Sequence, residues 1–167
     1  MHPLAHMLTG AAIGQLAGSP ALALIGGFLS HFVLDVIPHT EGETFRPRPA
    51  PNPVTAWKPQ PLSGPRMNIL PADIIEAGVE FAAGVLVIGW LVGNCLGVEA
   101  LSVGLGALGG ILPDLVDLPF ERLTGIAVFH PPGLHWTVRR RNAAWGILTQ
   151  VAAAGIAAAY LWRAGGC

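Results

Sequence analysis

Three residues with metal-binding side chains recur at four-residue intervals in the apolar stretch GGFLSHFVLDVIPH (26–39). They are His31, Asp35 and His39. Residues four apart on a helix share a face, so the two imidazoles and the carboxylate would point the same way. Imidazole and carboxylate groups bind zinc, and also manganese and iron. The spacing therefore predicts part of a metal site on an otherwise apolar helix.

Similar residues lie at the ends of other apolar stretches. His2 and His6 are four apart, as are Glu76 and Glu80, and further aspartates and histidines follow later in the chain. The predicted metal ligands are His6, His31, Asp35, His39, Asp114, Asp117, His130 and His135. Glu80 and Glu76 are predicted to be catalytic, because a carboxylate outside the ligand set could accept a proton from a metal-bound water.

The number of candidate ligands exceeds what one tetrahedral ion needs, so one or two divalent ions are predicted, with zinc first and manganese or iron as alternatives. The same residues also have ordinary structural interpretations. Histidines can form hydrogen bonds between helices, aspartates can stabilise turns, and glutamates can orient neighbouring histidines.

The composition shows which elements must position these residues. Of 167 residues, 52% are hydrophobic and only 11% are charged, whereas soluble domains carry about 25% charged residues. Five apolar segments cover residues 4–17, 21–37, 74–96, 100–112 and 143–162. The pattern predicts an all-α protein, a polytopic membrane helix bundle of about five hydrophobic helices in one integral membrane domain, 1–167.

Two polar stretches interrupt these segments: a proline-rich loop at 38–71 and a second loop at 113–142. If the first four segments form two hairpins, both loops lie on one side of the membrane. Every histidine of the chain then lies on that side as well. Arg163 alone is on the opposite side, so the positive-inside rule makes the loops and the N-terminus cytoplasmic and the C-terminus external, in a prokaryotic-type plasma (inner) membrane. The cationic residues on the loop side are Arg46, Arg48, Lys58, Arg66, Arg122, Arg139, Arg140 and Arg141.

A weak internal repeat relates the two hairpins. ALALIGGFLSH (21–31) aligns with GLGALGGILPD (104–114), so that the Gly-Gly pairs coincide and His31 falls on Asp114. Hairpins that point the same way imply a parallel repeat, with the fifth segment as an additional C-terminal helix. Gly10, Gly14 and Gly18 form a stripe of small residues on the first segment, which predicts close helix packing.

Four motifs resemble those of the YdjM-like membrane-bound metal-dependent hydrolases. They are HMLTG (6–10), GFLSHFVLD (27–35), LPDLVD (112–117) and HPPGLH (130–135). A more distant similarity is to zinc-dependent phospholipase C. In the family the H-x3-D helix comes last, whereas here it precedes LPD-x-D, and HPPGLHW lacks the arginine and hydroxyl residues usual in the H-x4-H motif.

The resemblance implies a hydrolase with its metal site at the cytoplasmic membrane face, and the bilayer location predicts a lipid or phosphoester-type amphiphile as substrate. A metal-ion or proton transporter is an alternative, but it would need polar residues across the membrane, and the distant ends of the third and fourth segments offer only Asn94, Glu99 and Ser102. A scaffold or interaction protein with structural His–carboxylate pairs is the other alternative. No Walker A loop, HExxH motif or basic nucleic-acid stripe occurs in the sequence, so no nucleic-acid partner is predicted.

Overall fold

A computed structural model of the protein describes residues 2–40, 71–96, 99–124, 128–129 and 142–165. In these ranges the chain forms five α-helices, and the predicted all-α bundle is confirmed. Each helix corresponds to one of the five apolar segments. The helices are α1 (Pro3–Leu16), α2 (Pro20–Val36), α3 (Pro71–Leu91, continued by a π-helical turn at Val92–Leu96), α4 (Ala100–Thr124) and α5 (Ala143–Ala164).

Proline and serine define the starts of the helices. Proline is the first residue of α1, α2 and α3, where its missing N–H would have no partner and its fixed φ suits the helix. At the start of α2 the hydroxyl of Ser19 accepts a hydrogen bond from the Leu22 N–H at 3.3 Å. Gly18 precedes it with a φ of 66°, a left-handed conformation that suits glycine and lets the chain reverse between α1 and α2.

The fourth helix is longer than the apolar pattern predicts. The predicted second loop begins at Pro113, but α4 continues through Pro113 and Pro119 to Thr124. Pro113 is fully buried in the part of α4 that lies between α1 and α2. A proline inside a membrane helix is tolerated when neighbouring helices supply partners for the backbone groups it leaves unbonded. Asp114 and Asp117 therefore lie on a helix, on one face, rather than in a loop.

Glycines bring α1, α2 and α4 into backbone contact. A Cβ atom added to Gly106 would collide with the Gly10 carbonyl oxygen, and one added to Gly27 would collide with the Gly106 carbonyl oxygen. Gly14 meets the backbone of α4 in the same way. The predicted close packing through Gly10 and Gly14 is confirmed. Gly18 instead belongs to the turn, and a Cβ added there would meet nothing within 4 Å.

The other two helices complete the bundle around α1. Both α3 and α5 pack against α1, and the shared apolar core includes Met7, Leu8, Ile88, Leu91 and Leu161. Three helical stretches are long and apolar enough to cross a membrane: Ile75–Asn94, Ala100–Asp117 and Ala143–Ala164. The central helix α1 is shorter, with 14 residues. The other four helices pack around it and bury its polar residue His6.

The segment after α2 is fixed to the start of α5. Thr40 donates a hydrogen bond from its hydroxyl to the Gln150 side-chain oxygen at 2.8 Å, and the Gln150 amide donates to the Thr40 carbonyl at 2.6 Å. The Thr149 hydroxyl donates to the Pro38 carbonyl. These contacts bring the end of α2, residues 37–40 and the first turns of α5 to the same end of the bundle.

Candidate metal centre

The polar ends of α1 and α2 place two imidazoles and one carboxylate together inside the bundle. His6, His31 and Asp35, called here the buried centre, each have a potential ligand atom within 4.8 Å of the other two. His6 and His31 have no exposed surface and Asp35 is 2% exposed. These three residues could hold a metal ion, and two of them belong to the predicted H-x3-D face of α2, but their role as ligands stays a prediction.

The orientation of His31 is set by the backbone of α4. Its Nδ1 lies 2.9 Å from the carbonyl oxygen of Gly110, which belongs to the turn that Pro113 interrupts. Because a carbonyl only accepts hydrogen bonds, Nδ1 carries the proton, and Nε2 is the nitrogen that faces the carboxylate of Asp35 at 3.1 Å and that of Asp114 at 3.8 Å. Because Nε2 faces carboxylates, either a proton on this nitrogen or a cation between the groups is needed to balance the charge.

His6 lies against His31 from the neighbouring helix. The two rings stack with centroids 4.0 Å apart, and the His6 Nε2 atom is 3.2 Å from an Asp35 oxygen. Within the described residues neither ring nitrogen of His6 has a hydrogen bond of acceptable geometry, although both are buried. A metal ion would use a nitrogen that is otherwise costly to bury.

The spacing of these atoms suits metal coordination. Two ligands of a tetrahedral ion with bonds of about 2.0–2.1 Å lie about 3.3–3.4 Å apart. Asp35 contacts His6 at 3.2 Å and His31 at 3.1 Å through different oxygens, and these distances suit ligands of one ion as well as a direct ion pair. A coordinating imidazole is usually oriented by a hydrogen bond from its other ring nitrogen to a carbonyl or carboxylate. The bond from Nδ1 of His31 to the Gly110 carbonyl is of this kind. The residues therefore fit a divalent ion.

Asp114 lies next to the buried centre but outside the group of three. Its oxygen is 3.8 Å from the His31 Nε2 atom, and its side chain is 33% exposed. It is the one described carboxylate that both contacts the buried centre and retains substantial exposure. The contact also brings together the two positions that the internal repeat aligns.

Asp117 holds the chain that follows α4. Its carboxylate accepts hydrogen bonds from the backbone N–H groups of Val128 and Phe129 at 2.9–3.1 Å. Phe129 in turn packs edge-to-face on Phe28 of α2, with ring centroids 5.5 Å apart. The described contacts give Asp117 a structural role at this end of the bundle, and its role as a metal ligand stays a prediction.

Three predicted histidine ligands stand apart from the buried centre or outside the described part of the chain. His39 is fully buried, and its Nδ1 donates a hydrogen bond to the Ile37 carbonyl at 2.8 Å. It is not part of the three-residue group, and its coordination stays a prediction. His130 and His135 lie outside the described residues.

The predicted catalytic glutamates form a second cluster with His2. The Nδ1 atom of His2 is in direct contact with a Glu80 oxygen and is 3.8 Å from Glu76. Burial lowers the pKa of His2, but the hydrogen bond and charge of Glu80, with the charge of Glu76, outweigh burial and raise the pKa above its ordinary value. His2 is not among the predicted ligands. Its four-residue spacing from His6 is the one signal in the sequence that could have indicated it.

The fold and the buried centre together define a helical membrane-type bundle with a His/Asp cluster that could hold a metal. Comparisons of the chain with family models, with curated proteins and with solved structures find no match.

Proposed function

We propose that the protein is a membrane-embedded metal-dependent hydrolase whose ion is held by His6, His31 and Asp35. The observation that carries the proposal is the presence of three buried ligand side chains beside one partly exposed carboxylate, Asp114. Catalytic zinc sites commonly use three protein ligands and keep the fourth position for water or substrate. The resemblance to YdjM-like hydrolases supports the same reaction class.

A bound divalent ion supplies an acidified water and polarises a phosphoryl or carbonyl oxygen. Asp114 lies close enough to the buried centre to accept the proton of that water, and its partial exposure lets the proton leave. Glu80 was the predicted base, but its described contact is with His2, which favours Asp114 for this role. The Gly110 carbonyl keeps His31 in the tautomer that presents Nε2 to the ion.

Zinc is the proposed ion, since two imidazoles and one carboxylate form a common catalytic zinc ligand set. The proposed substrate is a lipid or another amphiphilic phosphoester. His31 and Asp35 lie on α2, whose outer face exposes Leu29, Val33 and Val36. The buried centre is therefore one helix away from the apolar surroundings, where an amphiphile would be concentrated.

The packing of α1 against α4 argues against the transporter alternative. The two backbones are in contact at Gly14 with Ser102, at Gly10 with Gly106 and at His6 with Gly110. Such contact along the described part of the interface leaves no space between these two helices for a hydrated path from the buried centre. A buried centre with one partly exposed carboxylate beside it, Asp114, suits hydrolysis better than transport.

We propose that the polar end of the bundle faces the cytoplasm, because the predicted loops at this end carry eight of the nine cationic residues. Reporter tags inserted in the 41–70 and 131–141 stretches should both report a cytoplasmic location, and a tag after Cys167 should report the outside. Tags that place the two stretches on opposite sides would contradict this orientation.

The hydrolase proposal is tested with purified protein in lipid nanodiscs and a fluorogenic phosphoester lipid. The zinc-loaded protein should release the fluorophore, and Asp114→Asn should lower kcat by about 10²–10⁴ while zinc remains bound. Glu99→Gln, at the opposite end of α4, is the matched control and should leave kcat unchanged. Full activity of the Asp114→Asn protein would exclude the proposed base, and inactivity of the zinc-loaded wild type on phosphoester and carboxylester lipids would exclude the hydrolase.

A further inference from the structure

We infer that His2, Glu76 and Glu80 form a second divalent-cation site, separate from the buried centre. One ligand atom of each residue lies within 4.8 Å of the other two. The imidazole comes from the residue before α1 and the two carboxylates from the first turns of α3, so the cluster is made by packing of two helices and not by neighbours on one of them. Imidazole with two carboxylates is a ligand set for divalent transition ions.

Glu80 provides an independent reason to place a cation there. One of its oxygens contacts His2, whereas the other, Oε2, is buried and has no hydrogen bond within the described part of the chain. Burial of a carboxylate oxygen without a partner is unfavourable. A cation beside Glu80 would satisfy this oxygen, and Glu76, with a side chain 47% exposed, would leave one side of the ion open to water.

The composition of the cluster indicates which divalent ion it would hold. Two carboxylate side chains face one imidazole, and the chain's N-terminal ammonium also acts on His2. The ligand set contains more oxygen and is more hydrated than the buried centre. Such sites suit manganese, whereas the two imidazoles of the buried centre favour zinc.

The two clusters take their ligands from different places. His2 precedes α1 with an extended backbone and contacts Glu80, whereas His6 lies on α1 and contacts Asp35. In two-metal hydrolases the ions are about 3.5–4 Å apart and share ligands. The clusters share no residue, so we expect two independently occupied ions. This inference does not depend on hydrolase activity.

The test is a manganese titration of the full chain in detergent, followed by electron paramagnetic resonance. The His31→Ala protein is used first, because it removes the buried centre and leaves the second site alone. It should bind one Mn²⁺ per chain, and adding Glu80→Gln should weaken that binding by at least about tenfold, the loss seen when even indirect supports of a metal ligand are removed. Adding Glu99→Gln instead should leave binding unchanged.

Glu76→Gln provides a second variant, because the Glu76 side chain is 47% exposed and its replacement is expected to disturb the packing of α3 on α1 little. Weakened manganese binding in both glutamine variants supports the site. Binding that is unchanged in both, or no bound Mn²⁺ in the His31→Ala protein, overturns it. Either result leaves the buried centre unaffected, since zinc stoichiometry in the Glu80→Gln protein measures that site separately and should stay at one ion per chain.

Discussion

The Asp35→Asn protein, purified from cells and washed with a weak chelator, is expected to contain no zinc at the buried centre. Asp35 contacts both histidines through different oxygens, so it connects the ligands from α1 and α2. Asparagine keeps the shape of the side chain but removes the charge that would balance the ion. His31→Ala is expected to lose zinc equally, because the ion needs both groups. Zinc per chain is measured by elemental analysis.

Ser30→Ala is the control for the Asp35→Asn and His31→Ala variants. Ser30 is buried beside His31, and its hydroxyl donates to the Gly27 carbonyl within α2, so its loss tests disturbance of α2 without removal of a ligand. It should retain full zinc occupancy. The double variant of His31 and Asp35 should lose no more metal than either single variant, since residues that act as a unit are not additive. A wild-type zinc content in Asp35→Asn would refute the ligand assignment.

The second large effect is expected for Gly106→Ala. Gly106 faces α1 and α2 at once: its added Cβ would meet the Gly10 carbonyl oxygen and the backbone of Gly14, and the Gly106 carbonyl already touches Gly27. Backbone atoms cannot move aside as a flexible side chain does. Overpacking of this kind typically costs about 1–3 kcal/mol, and because the added Cβ would meet only rigid backbone atoms of α1, Gly106→Ala is expected at the upper end of that range or beyond.

Displacement of α4 would also move the Gly110 carbonyl away from His31, so zinc affinity should fall together with thermal stability. Gly104→Ala is the matched control, because Gly104 lies on the same helix and a Cβ added there would meet nothing within 4 Å. This variant should melt within a few degrees of the wild type. Thermal unfolding in detergent with and without zinc gives both quantities. Equal melting temperatures of the two variants would contradict the tight packing of α1, α2 and α4.

The sequence predicted the five helices and the common face of His31 and Asp35, because both depend on local periodicity. Apolar segments of sufficient length define the five helices, and the four-residue spacing of His31 and Asp35 places them on one face wherever α2 lies. The early His6 was found from its position in an apolar stretch. The internal repeat aligned His31 with Asp114, although the two residues are far apart in the sequence. In the structure the Nε2 atom of His31 lies 3.8 Å from an Asp114 oxygen.

Features that depend on tertiary packing were not predictable in the same way. The apolar pattern ends at Leu112, but α4 continues through Pro113 because surrounding helices support it. The orientation of His31 depends on a backbone carbonyl at Gly110, which no side-chain pattern reveals. The pairing of Thr40 with Gln150 joins two residues that carry no local signal, and only packing distinguishes Asp117 from Asp114.

The most direct test of the metal centre is to locate the ion itself. A crystal of the zinc-loaded protein, measured on both sides of the zinc absorption edge, should give an anomalous peak about 2.0–2.1 Å from the Nε2 atoms of His6 and His31 and from a carboxylate oxygen of Asp35. A structure in which these three residues contact one another directly, with no anomalous peak between them at saturating zinc, would show that the cluster is a buried ion pair and would contradict the proposed centre.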